Sequence, residues 1–119
     1  MGLDQHWLID DIENPGKYKG IHCHKTFNAL EGFMQDKWYE AGNSQEFNCR
    51  KLPITEDILT DLEKELKNKT LEPTAGFFFG EAGKDKSYYR DIKELEDKVI
   101  PLVRGHMQEG RIVYYTSWW

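Results

Sequence analysis

The last nine residues, Arg111-Ile112-Val113-Tyr114-Tyr115-Thr116-Ser117-Trp118-Trp119, constrain the fold more than any other stretch. β-branched and aromatic side chains lose rotamer freedom in a helix and pack well on a pleated surface, so this run predicts a strand. A strand that arrives last in the chain pairs with strands made earlier. Its expected place is the middle of the sheet or beside the first strand, and truncating it is expected to cripple folding.

The first strand is expected over Leu3 to Ile9, with Leu3, Gln5, Trp7 and Ile9 on one side and Asp4, His6 and Leu8 on the other. Asp10 to Gly20 contains Asn14-Pro15-Gly16 and three acids, the composition of a surface loop. Ile21-His22-Cys23-His24 suits either an extended segment or a direct lead into the next helix. From Thr26 to about Ala41, Phe27, Leu30, Met34, Trp38 and Ala41 recur at helical spacing, and Gly42-Asn43 stops the helix. Glu46 to Leu52 is a candidate strand before Pro53. The second helix opens at Thr55 as N-cap, with Glu56 and Asp57 at the positive end of its dipole and Lys67 and Lys69 at the negative end. Ile54 and Leu59 flank its start as a hydrophobic staple, and Ile58 or Leu59, Leu62 and Leu66 form its buried stripe. Leu71 to Gly80 is too short and too broken by Pro and Gly for a helix and fits a brief buried strand or a tight loop. The third helix starts near Asp85 or Ser87 and carries Tyr88, Ile92, Leu95, Val99, Leu102 and His106 on one face, ending at Gly105 or Gly110. Pro101 lies inside that stripe. It removes a backbone donor and clashes with the carbonyl four residues back, which predicts a kink or break near Lys98 to Ile100.

The order β-α-β-α-(β)-α-β predicts an α+β fold: a small, mainly antiparallel sheet of three to four strands covered by three helices. With 119 residues the chain fits a single domain over 1–119. Four Trp, six Tyr and six Phe are far too many for a disordered tail. Trp7, Phe27, Trp38, Phe77 to Phe79, Tyr88, Tyr114 and one terminal Trp are the expected core aromatics. Tyr18, Tyr39, Tyr89, Tyr115 and the other terminal Trp are left to face water, a set that favours recognition over catalysis.

Charge and hydropathy then exclude several classes. Sixteen Lys plus Arg against 21 Asp plus Glu give a net charge of −5, the wrong sign for gripping a phosphate backbone, so direct nucleic-acid binding is not expected. No apolar run approaches the ~20 residues of a membrane-spanning helix, and the mean hydropathy is −0.75. The first residues lack a basic stretch followed by an apolar run, which predicts a cytoplasmic protein with Cys23 and Cys49 as free thiols.

His22-Cys23-His24 is the sharpest metal candidate, because on a strand His22 and His24 point the same way and can chelate one ion, with Asp4 or His6 as a further ligand. The same two imidazoles could activate Cys23, although neighbours on a strand face opposite ways. Gly76 to Lys84 runs Gly-rich into Lys but lacks the Walker A spacing: Phe78 stands where a Gly is needed and Asp85 where Ser or Thr is needed. No Gly-x-Ser-x-Gly, His-Glu-x-x-His or Cys-x-x-Cys occurs, so no catalytic residue and no cofactor is assigned. His106 fits a core or boundary position. The acids of the second and third helices, interleaved with Lys64, Lys67, Lys93 and Lys98, suit a solvated face or an acidic docking surface.

Several motifs resemble a family of small phage and prophage proteins of unknown function. They are Met1-Gly2-Leu3-Asp4, the His24-Lys25 step into a helix, Pro73-Thr74-Ala75-Gly76-Phe77-Phe78-Phe79-Gly80, Tyr88-Tyr89 with Asp91, and Tyr115-Thr116-Ser117-Trp118. Gly32-Phe33 stands where that pattern has a Trp-Phe pair. The resemblance implies a host-cell cytoplasm and supplies no chemistry. It suggests a non-enzymatic protein that binds a host protein or complex, as in host takeover or anti-CRISPR-like defence inhibition. The alternative is a small-ligand, nucleotide or metal-binding module with an aromatic pocket. The residues expected to take part in either are Asp4, His6, His22, His24, Phe78, Tyr88, Tyr89, Asp91 and Trp118.

Overall fold

A computed structural model describes residues 3–72 and 86–118. Four antiparallel strands form one sheet in the order β2-β1-β4-β3: β1 (Asp4–Asp10), β2 (Tyr18–Lys25), β3 (Lys51–Pro53) and β4 (Val113–Trp118). Three helices complete the α+β fold: α1 (Asn28–Glu40), α2 (Glu56–Asn68), and a third made of α3 (Lys86–Glu94), a π-helical turn (Leu95–Val99) and α4 (Ile100–Gln108) in unbroken succession.

The C-terminal strand takes both places expected of it. It lies inside the sheet and pairs with β1 from Asp4 opposite Trp118 to Ile9 opposite Val113. β3 covers its other side, with Leu52 opposite Tyr115. The strand expected over Glu46 to Leu52 is shorter. Phe47 instead leaves the sheet plane to stack on Tyr115, with ring centroids 5.9 Å apart. The undecided segment around His22 is extended, and its strand begins at Tyr18, inside the stretch expected as a loop. Its exposed edge position gives it no apolar alternation from which to be read.

Alternation along β1 separates two faces. Leu3, Gln5, Trp7 and Ile9 are buried, while Asp4, His6 and Leu8 are half-buried. Val113, Tyr115 and Ser117 share the buried face with them through the pairing register. The inner face packs against Leu30, Met34, Trp38, Leu59, Leu62, Leu95, Val99 and Val103. Two aromatic expectations reverse here. Tyr115 is fully buried and Tyr114 is half-buried on the outer face, because a one-residue offset in a strand exchanges faces. Leu102, expected on the buried stripe, is exposed, since the extra residue in the π turn sets the helix phase back and brings Val103 onto the buried face instead.

That turn is where the kink was expected. Ile100 N–H bonds to the Leu95 carbonyl, five residues back. The wider turn accommodates Pro101, which has no N–H to donate and whose ring must clear the carbonyl four residues back. Gly110, at φ 86, lies just beyond the end of α4. The motif Pro73 to Gly80, with Phe77 to Phe79, and the phosphate-loop comparison through Lys84 lie outside the described residues, as does Trp119.

Candidate functional site

The candidate residues divide into three groups rather than one cleft. Asp4, His6 and Trp118 lie on the outer sheet face. His22 and His24 project from β2 on the opposite side, beside α3. Tyr88, Tyr89 and Asp91 ride on α3, and Phe78 lies outside the described residues.

On the outer face, His6 and Trp118 occupy the two central strands and stack with ring centroids 4.4 Å apart and planes 13° apart. Further along the same face Tyr18 meets Tyr114 edge-on at 5.4 Å. The Lys51 ammonium sits 4.5 Å from the Tyr18 ring centre, a cation–π contact. Tyr18 is 43% exposed and Trp118 42%. The four aromatic rings and Leu8 therefore form an apolar strip across strands whose outer side an antiparallel sheet usually gives to polar residues. Among the described residues no helix packs on this face. Cys23 also faces this way, opposite His6 in the register and away from the histidines beside it, so the strand alternation removes the activated-thiolate reading. Cys23 and Cys49 are both free and exposed.

On the inner side, β2 brings His22 and His24 to the end of α3. His22 Nε2 is 2.9 Å from Glu94 Oε1, and the two imidazole rings are 4.8 Å apart. His24 is buried, and its Nε2 accepts the indole N–H of Trp7 at 3.0 Å. Burial, reinforced by the neighbouring His22, pushes the His24 pKa down to about 4, so the ring is neutral at physiological pH. Glu94 had no distinguishing mark in the sequence. It is one acid among Glu94, Glu96 and Asp97, and only the packing of α3 against β2 selects it.

A second polar cluster lies beneath the sheet, and only part of it was legible. Gln5 clamps Phe27, the residue before α1: its Oε1 accepts the Phe27 N–H at 2.7 Å and its Nε2 donates to the Phe27 carbonyl at 2.8 Å. The same Nε2 donates to the Tyr115 hydroxyl at 2.7 Å, and that hydroxyl donates to Glu31 Oε1 at 2.7 Å. Ser117 and Gln35 donate to Glu31 Oε2. Every donor has an acceptor, so the network ties β1, β4 and α1 together and leaves no free group for chemistry.

On α3, Tyr88 donates to the Leu71 carbonyl, and with the 60% exposed Tyr89 it borders a cleft of about 340 Å³ between α2 and α3. Asp91 is half-buried near Arg90. The expected acidic docking surface is partly taken up inside the molecule. Asp61 pairs with Lys37 at 2.7 Å, and Glu56 and Glu63 both hold Arg104. The chain matches no protein-family model, no curated protein and no solved structure.

Proposed function

We propose that this chain is a non-enzymatic binding protein whose open sheet face docks a protein partner. The observation that carries this reading is the His6–Trp118 stack in the middle of a sheet face on which, among the described residues, no helix packs, continued by Tyr114 and Tyr18. Trp and Tyr supply large contact area with few rotatable bonds, and they concentrate at the buried centres of protein interfaces. Small ligands are held in concave sites, and the cleft between α2 and α3 lies away from this face. The net charge of −5 disfavours nucleic acid as the occupant. A matching partner surface carries an apolar centre for the aromatic strip and acidic groups for Lys25 and Lys51 at its rim. The resemblance to small phage proteins makes a host protein, such as a component of a defence complex, the expected partner.

The test compares wild type, His6→Ala/Trp118→Ala and the helix-side control Tyr89→Ala. Proteins captured from host lysate are identified, purified and titrated against each form. Wild type and control are expected to bind one purified partner equally, and the face variant to bind it about tenfold or more weakly, as loss of a central aromatic does. Equal binding by the face variant, or capture of nothing but further copies of this chain, overturns the reading.

A further inference from the structure

We propose that His22, His24 and Glu94 form a binding site for one divalent transition-metal ion of the zinc, cobalt or nickel type. This site lies on the opposite side of the sheet from the docking face and stands independently of it. One ligand atom from each of the three residues lies within 4.8 Å of the others. Metal–nitrogen and metal–oxygen bonds of about 2.1 Å in a tetrahedral site place ligand atoms roughly 3.4 Å apart, so the widest gap closes by about 1.4 Å. Half-buried His22 and Glu94, already 2.9 Å apart, need only side-chain rotation to do this.

The donor set decides the kind of ion. Two imidazoles and one carboxylate suit borderline ions, whereas calcium and magnesium take all-oxygen sites. Three protein ligands leave positions for water or for a side chain from a partner. The support is rigid where it matters: His22 and His24 are alternate residues of a paired strand, and Glu94 closes α3 at the π-helical turn, a device often found at functional positions. His24 is the buried member of the three. Its Nε2 lone pair serves the Trp7 indole in the metal-free protein. His22 and Glu94 therefore receive the ion first, and His24 completes the set by exchanging the indole for the metal.

Cobalt(II) is the probe, added to untagged, reduced protein while visible absorption and thermal midpoint are followed. Zinc is then used to compete. Saturation at one ion per chain is expected, with a ligand-field band that zinc removes and a raised midpoint. Glu94→Gln and His22→Gln remove side chains at the partly exposed rim and leave the core intact. Each is expected to weaken binding about tenfold or more. Absence of any band or midpoint shift at millimolar cobalt overturns the proposal. So does undiminished binding by the His22→Gln/Glu94→Gln double variant, which would assign the signal to an exposed thiol or another adventitious group.

Discussion

Glu31 is fully buried and accepts hydrogen bonds from Tyr115, Ser117 and Gln35, and among the described residues no cation pairs with it. Burial raises its pKa above the ordinary glutamate range, while the three donors pull the other way. A carboxyl whose folded pKa is raised holds its proton to higher pH in the native state than in the unfolded chain. Its contribution to stability is therefore greatest below the unfolded value and is lost as pH rises through the raised folded one. Glu31→Gln removes that titration and keeps an acceptor for Tyr115. The thermal midpoint of the variant relative to wild type is expected to rise by several degrees between pH 4 and pH 7. A pH-independent difference would refute the assignment. Position 31 was legible in one respect: it lies four residues after Phe27 and three before Met34, on the buried stripe itself. Following only the apolar members of the stripe passes over a charge whose partners are 84 and 86 residues away.

Elements were readable where local chemistry specifies them. In α2 the Thr55 hydroxyl accepts the Ile58 N–H at 3.3 Å, Lys67 occupies the last turn, and Leu59, Leu62 and Leu66 are buried. Ile54 and Leu59, the expected staple, both end in the core. Thr55→Ala leaves an orphan donor at the helix N-terminus and is expected to destabilise the protein by about 1 kcal/mol, read as a lower urea midpoint at constant slope. An unchanged midpoint would mean that water caps this end equally well. The third helix was legible as a stripe and as an interruption, because Pro101 acts within its own turn. What Pro101 does to the phase was not legible, and the exposure of Leu102 follows from that shift. β2 carried the weakest local signal of all, since an edge strand with lysines and histidines satisfies its backbone on one side only. The pairing with β1, including the register shift between Trp7 and Leu8, defines it.

At the scale of the whole molecule, β4 holds the two halves of the sheet together. It joins β1 to β3, and its Tyr115 and Ser117 anchor the buried carboxylate of α1. Deleting residues 113–119 opens the sheet between β1 and β3 and exposes Trp7, Phe47 and Leu52. The truncated chain is expected to lose its cooperative thermal transition and to bind a hydrophobic dye, measured by circular dichroism and fluorescence. A cooperative transition close to that of the intact chain would contradict the central role of the strand. The sequence alone determined the α+β class, the three helical stretches, the division of β1 into two sides and the sheet-forming C-terminus. These depend on periodicity, caps and β-branching, which act between residues a few positions apart. Tertiary structure alone decided which tyrosine of the adjacent pair is buried, why Gln5 and Glu31 are inside, and that Glu94 meets His22 and His24. It also separated the expected cluster of Asp4, His6, His22 and His24 onto two sides of one sheet. Strand alternation assigns neighbours to opposite faces, but only register and packing determine which face the helices cover and which remains open.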